Sequence, residues 1–260
     1  MKKVYFIYFI LVSHLYGNTF TPLSDLIDKN SAQKIPAYQV SGTIFNAHET
    51  KTYPFNFQFQ PTDQHGLYAI VKNPLCISEV EVGPNLAVLS STFNVKHDGL
   101  IQRLQYNLRT GRKNEFDEVV FNFKLDALPV KEKGIYYNKN TIDTFSIIPV
   151  FQSLADKNIN YISADLAVEN NGMRVPILIQ KQVTNRLDQY LLNYTVHEDF
   201  KKIIKNNNKT YIVFIFRVGG WQGFFYNHRH FYVFSSTPPY KYVGHWGGTD
   251  KLNLFSWVTD

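Results

Sequence analysis

The chain is poor in sulfur, with one cysteine, Cys76, and two methionines in 260 residues. A single thiol excludes an intramolecular disulfide framework. Cys76 lies far inside the chain and follows Pro74-Leu75. No base in the sequence is placed to lower its pKa, so it reads as a buried structural thiol. Arginine is scarce too, seven of the 27 basic residues. The bidentate phosphate grips that a nucleic-acid binder favours are therefore few. Net charge is +6, and its densest basic stretch, "KKIIKNNNK" at 201–209, reads as a solvated helix end and turn. No run approaches the roughly 20 apolar residues that a membrane-spanning helix needs. G-x-S-x-G, H-E-x-x-H and Walker patterns are also missing. Nucleic-acid binding and the commonest hydrolase chemistries have no support here, and no cofactor is implied.

What is present begins with a leader. Met1-Lys2-Lys3 is a short basic segment followed by "VYFIYFILV", Val4 to Val12, an apolar core of signal-peptide length. Gly17 supplies a small residue for cleavage. Residues 1–17 are expected to be a signal peptide and 18–260 a single β-rich domain, periplasmic or secreted. Loss of Lys2 and Lys3 takes the net charge from +6 to +4.

Seventeen tyrosines and 21 phenylalanines favour strands over helices. In "YPFNFQFQ" Tyr53, Phe55, Phe57 and Phe59 share one face while Asn56, Gln58 and Gln60 share the other. Pro54 marks a strand start or an edge. "EVVFNFKL" repeats the alternation with Val119, Phe121, Phe123 and Leu125. "GLYAIVKN", "NLAVLSSTFNVKH" and "LDQYLLNYTVH" also read as strands. "KTYIVFIFRV" is apolar on both faces, which predicts a central strand covered on both sides. "PTDQHG", "GPN", "RTGRKN" and "ENNG" supply turns.

Three helices are expected. The first, 21–34, has Thr21 as N-cap and Pro22 at the first helical position. The second, 143–158, is capped by Asp143, with Pro149 in its interior costing about 3 kcal/mol or forcing a break. The third is a short one at 197–206. The predicted architecture is a single curved antiparallel sheet, a half-barrel, with one or two helices packed on the concave face.

The order of signals from Tyr38 to Phe123 adds a resemblance. Gly66-Leu67-Tyr68-Ala69-Ile70, Gly99-Leu100, Tyr106 and Phe116-Asp117 follow one another, and "DTFSIIPVFQSL" comes later. This resembles an exported proteobacterial family with the half-barrel fold of the periplasmic lipoprotein-localisation carriers (LolA-like). The proline that family has shortly after its Gly-Leu pair is absent, Gln102 or Arg103 standing there. The resemblance implies a curved sheet around helices, with an apolar concave face able to hold an acyl chain or lipid headgroup.

Two chemical readings follow. In the first, a lipid or other apolar small molecule binds without catalysis in a groove lined by Tyr53, Phe55, Phe57, Phe59, Phe121 and Phe123. Trp221 and Trp246, in glycine-flanked turns, suit contact with a membrane surface or a partner. In the second, a secreted metal-dependent hydrolase uses the C-terminal histidines; beside both stands a purely structural or interaction factor of the envelope. His228 and His230 are an i, i+2 pair, and His245 can approach them if "SSTPPYKYVG" forms a hairpin. No Asp, Glu or Cys stands near to complete a set, so no metal site is expected. His228 and His230 are predicted to face solvent or a polar rim, with Phe231 and Val233 facing the core. Glu115, Asp117 and Glu118 read as a solvated strand entry, since neighbours on a strand point to opposite faces.

The leader is directly testable. N-terminal sequencing of protein recovered outside the cytoplasm should begin near Asn18, and intact Met1 in a membrane pellet would refute the signal assignment.

Overall fold

Alternating aromatic and polar residues need a sheet with one buried face, and the chain builds one large sheet. The computed structural model describes residues 19–46, 51–72, 76–86, 88–97, 100–107, 112–116, 140–143, 146–168, 173–191, 201–202, 204, 209–218, 229–248 and 254–258. The first strands are β1 (Thr21–Pro22), β2 (Tyr38–Asn46), β3 (Lys51–Pro61), β4 (Leu67–Lys72), β5 (Cys76–Val82), β6 (Val88–His97), β7 (Leu100–Asn107) and β8 (Arg112–Phe116). Then come β9 (Thr141–Asp143), β10 (Tyr161–Val168), β11 (Met173–Thr184), β12 (Tyr211–Val218), β13 (Arg229–Ser235), β14 (Tyr242–Gly248) and β15 (Leu254–Val258). Among the described residues one α-helix, α1 (Ile147–Ser153), precedes β10.

Two antiparallel meanders are joined at one seam. Strands β2 to β8 pair in chain order, as do β10 to β15, and β15 pairs β2 to make the sheet continuous. The N-terminal meander thus depends on the C-terminal strand. Only the short β1 and β9, both against β10, run parallel to their neighbour. The sheet is open, as a half-barrel is.

Prolines sit where ladder bonds have ended. Pro54 pairs with Thr43 of β2, but the β4 ladder starts only at Asn56. Pro176 pairs with Asp165 of β10, and the β12 ladder starts at Ile177. Neither missing N–H is needed on the unpaired side. Between β3 and β4, a Cβ at Gly66 would lie 2.0 Å from the Val82 carbonyl oxygen, so only glycine fits that turn.

Strand β12 buries both faces. Ile212, Phe214 and Phe216 enter the larger core, and Tyr211 and Val213 a second cluster behind the sheet. The larger core covers the inner face. It includes Val40, Phe55, Phe57, Phe59, Ile177, Ile179, Phe234 and Tyr242. The smaller cluster joins Phe45, Phe231, Val233 and Trp246 to Leu187 and Ile204. Each such side chain withdrawn from water contributes roughly 1.5–3 kcal/mol.

The helix lies on the inner face and is shorter than its sequence suggests. Asp143 belongs to β9, and Ser146 holds the N-cap position. Pro149 therefore falls in the first turn, where a backbone N–H has no intrahelical partner, and no break occurs. Val150 N–H makes the opening bond to the Ser146 carbonyl at 3.0 Å. Phe151 stacks on Phe214 with centroids 4.7 Å apart, and meets Tyr232 edge-on at 5.5 Å.

Two other expectations are corrected. Residues 21–34 form β1 and two 3₁₀ turns, Leu23–Asp25 and Ser31–Lys34, instead of one helix. The Asp28 carboxylate accepts from Asn30 N–H (2.8 Å) and Lys34 Nζ (2.9 Å), a local turn that competes with helix. "LDQY" at Leu187–Tyr190 is a 3₁₀ turn and not a strand. Thr184 Oγ1 accepts from Arg186 N–H at 2.9 Å and bends the chain there. In the third predicted helix, Lys201, Lys202 and Ile204 are helical.

The far end of α1 is held by a buried cation. Lys181 shares the inward parity of Ile177 and Ile179, and is buried. Its ammonium donates to the carbonyl oxygens of Ala155 (2.6 Å), Leu154 (3.3 Å) and Lys157, all beyond the helix C-terminus. Burial lowers its pKa from the ordinary lysine value, and Asp156 acts in the opposite sense. Lys181→Met strands these carbonyls and should lower stability by about 1–3 kcal/mol in urea unfolding. Val183→Ser, at the exposed neighbour, should stay within about 0.5 kcal/mol; equal effects would contradict the capping role.

Candidate functional site

The inner face is an aromatic wall under a thin cover. Phe57 meets Phe59 edge-on at 4.4 Å, Phe59 meets Tyr38 at 5.0 Å, and Phe57 lies 6.0 Å from Tyr242. Phe234 links Tyr242 to Phe214, on which the helix rests. Such pairs each add about 0.5–1.5 kcal/mol beyond burial.

A polar clip joins this cover to the wall. Tyr38 donates its hydroxyl to Gln152 Oε1 at 2.6 Å, and Gln152 Nε2 donates to the Pro239 carbonyl at 2.8 Å. Gln152 is buried on α1 and so ties the helix to β2 and to the β13–β14 turn. Burial is the main cause that raises the Tyr38 pKa, which keeps the phenol a donor. Sequence reading missed this clip, though a glutamine inside "IIPVFQS" was its signal.

A second constellation lies on the β13–β14 hairpin. The register pairs Tyr232 with His245 and His230 with Gly247, and it shifts between Val233 and Phe234. Phe234 pairs with Tyr242 and Val233 with Gly244, so Val243 is the extra residue of a β-bulge. The bulge reverses the alternation along β14. Tyr242 belongs to the inner core and Trp246, four residues on, to the outer cluster. His245 is thereby turned to the inner face, with its ring 4.1 Å from that of Tyr232.

His230 and His245 form a dyad. Nδ1 of His230 and Nε2 of His245 are 3.3 Å apart. The ring planes differ by 4° and the centroids are 5.6 Å apart. That centroid separation is the nitrogen separation plus one ring radius at each end. The rings therefore lie edge to edge in one plane, with the two nitrogens facing each other. In this geometry one imidazole donates and the other accepts. Ligand nitrogens on a tetrahedral zinc also lie about 3.3 Å apart, but there both lone pairs converge on the metal; here they point at each other along one line, the orientation of a shared proton. Among the described residues no group of three His, Cys, Asp or Glu could hold one. Phe216 stacks on His230 at 4.8 Å. Burial, and then the neighbouring His230, hold His245 well below the ordinary histidine value of 6.5. Its ring is neutral at physiological pH.

Gly247 makes the dyad possible. A Cβ there would lie 2.6 Å from the Arg229 carbonyl oxygen and 2.8 Å from His230 Nδ1, and φ is +156°. With glycine opposite, the His230 ring lies across β14 and reaches its diagonal neighbour.

Of the sequence-predicted residues, Phe55, Phe57 and Phe59 line the inner core at 6%, 2% and 1% exposure. Tyr53 lies on β3 in register with Ile44. Phe121, Phe123, Trp221 and His228 lie outside the described residues, as do Asp117, Glu118 and the leader. Phe231 and Val233 are buried, as expected. His230 is not on a solvent face: it is half-buried on the inner face, and Tyr232 beside it is core. Trp246 is not an exposed turn residue. It lies in β14, 1% exposed, stacked on Phe231 at 5.2 Å. It offers nothing to a membrane surface.

No family model matches this chain, and no curated protein does. Among the solved structures similar to it are these two. One is a β-barrel-like protein of the domain of unknown function DUF1849 from Brucella abortus. It is 8% identical, covers 86% of this chain and 96% of its own, and has a TM-score of 0.47. The other is a putative outer membrane lipoprotein-sorting protein domain from Vibrio parahaemolyticus, 8% identical over 92% of this chain and 90% of its own, with a TM-score of 0.33. Likenesses of this size bear on neither ligand nor activity.

The dyad's dependence on Gly247 is testable. Gly247→Ala should push the His230 ring away and cost about 1–3 kcal/mol through overpacking. Urea unfolding reads the cost, and ¹⁵N-imidazole NMR reads the loss of the N–H···N contact. Unchanged stability and unchanged imidazole signals would show that the close approach does not exist.

Proposed function

We propose that the chain is an exported, non-enzymatic binder of a lipid or other apolar ligand. The ligand lies along the inner face at Phe55, Phe57 and Phe59, and the sequence alternation adds Tyr53, Phe121 and Phe123 to the proposed contact set. One observation supports this above the rest: an aromatic wall crossing several strands is covered by a seven-residue helix and two 3₁₀ turns. Phe57 and Phe59 are closed off, so a ligand must take the place of part of that cover. The polar cost of the exchange depends on which end of α1 moves: the C-terminal end is held by Lys181, and the rest by a clip. The Tyr38–Gln152–Pro239 clip consists of two hydrogen bonds of net worth about 1 kcal/mol each. Apolar surface left by the cover is buried again by the ligand.

A periplasmic or secreted location fits the leader. Among the described residues no helix is long and apolar enough to cross a membrane. The alternative, a metal-dependent hydrolase at the C-terminal histidines, needs ligands beyond the dyad, and among the described residues no group of three His, Cys, Asp or Glu could hold a metal.

The test is native mass spectrometry of full-length protein prepared from cell envelopes without detergent, with parallel titration by a fluorescent fatty acid. Lipid-sized adducts and saturable uptake are expected. Phe57→Leu, which keeps the core apolar, should weaken uptake while circular dichroism shows the sheet retained. A clean apo mass together with no uptake by wild type would overturn the proposal.

A further inference from the structure

The His230–His245 dyad stands directly behind the seat of the helix. His230 stacks on Phe216, whose ring centroid is 6.3 Å from that of Phe151 on α1. His245 packs on Tyr232, which meets Phe151 at 5.5 Å. Each imidazole therefore touches one of the aromatics on which the helix rests. We propose that this dyad is an acid-operated latch: at neutral pH its shared N–H···N contact holds β13 and β14 in register under α1, and protonation unseats the helix.

The chemistry follows from edge-to-edge geometry. A neutral pair needs one proton between the facing nitrogens, and it has one. A single added proton can be borne at an outer nitrogen. A second turns both facing nitrogens into donors, 3.3 Å apart, and sets two positive charges side by side between aromatic rings. One ring must then swing away, and Phe216 or Tyr232 moves with it.

Among the described residues the rings packed on the pair are uncharged. Phe216 of β12 carries no charge, and Tyr232 of β13 and Tyr242 of β14 are phenols, that of Tyr232 pushed up by burial. Helix α1 and strand β15 contain no ionisable residue. Arg229, next to His230 on β13, points by alternation to the opposite face and opposes added positive charge. No acidic side chain offsets the burial of His245. The sign is that of a histidine with its folded pKa lowered. The fold binds fewer protons than the unfolded chain, so stability is full above the ordinary value of 6.5 and declines as pH falls below it. The latch concerns how the helix is held and does not depend on what the inner face binds.

Hydrogen exchange of the full-length protein, read by mass spectrometry on peptides spanning 146–157 at pH 7.5 and pH 5.0, tests this after correction for intrinsic exchange rates. Wild type should lose at least tenfold protection in this segment at pH 5.0, with β3 and β4 peptides changing less. His245→Gln should abolish that pH dependence, and His230→Gln should reduce it, since burial alone still disfavours a charged His245. Helix protection in wild type that is independent of pH would overturn the latch. So would an acid-induced loss that persists in His245→Gln or is undiminished in His230→Gln, since another group would then be responsible. If one variant fails to fold, the other and the wild-type profile still decide the outcome.

Discussion

Strand β12 sets the conditions for the rest of the molecule. A strand with apolar side chains on both faces cannot lie at a solvated surface, so both sides of the sheet must be covered there. The inner cover is α1, where Phe151 stacks on Phe214. The outer cover is the 3₁₀ turn at Leu187–Tyr190 with Ile204, over Tyr211 and Val213. Strands β3 and β4, far along the sheet, have no such outer layer among the described residues and show the half-polar alternation of Gln58, Gln60 and Tyr68. One sheet thus passes from a two-sided interior at β12 to a one-sided surface at β3.

A seven-residue helix has little stability of its own, since nucleation is unfavourable and few bonds are made. It persists because the sheet holds it at several points. Lys181 satisfies carbonyls past its C-terminus, Gln152 bridges β2 and the β13–β14 turn, and Phe151 fills the space between Phe214, Phe216 and Tyr232. These contacts differ in kind. The aromatic ones are non-directional and can be replaced by another apolar body, whereas the polar ones are specific to this helix in this position. A cover held in this way is ordered by the sheet and not by its own length, and the aromatic part of its seat is the part another apolar body can occupy, which is the physical content of the binding role proposed for the inner face.

The bulge at Val243 links that cover to acid–base chemistry. Without it Tyr242 and Trp246 would share a face, and His245 would point to the outer side, away from His230. One extra residue places an imidazole next to an imidazole, within one aromatic ring of the helix. Gly247 then removes the only side chain that would keep the rings apart.

Much of the fold was legible in the residues because period-two alternation is a local property. "YPFNFQFQ" places its phenylalanines on one face, "KTYIVFIFRV" announces burial on both, and turns at "PTDQHG" and "GPN" follow from backbone chemistry. Helix boundaries were less legible. Asp143 and Thr21 look like caps, yet each lies in a strand, because pairing to β10 decides their conformation. Trp246 was assigned to a turn because glycines flank it, and His230 to a polar rim because β13 was taken as covered on one face; strand pairing puts Trp246 inside β14, and the inner core covers the face that His230 shares with Tyr232. By itself the sequence determined the strand content, the two-faced central strand and the aromatic side of β3. Only the tertiary structure decided what covers that side, which lysine and glutamine hold the cover, and that two histidines fifteen residues apart meet, because those depend on register between strands and not on any strand alone.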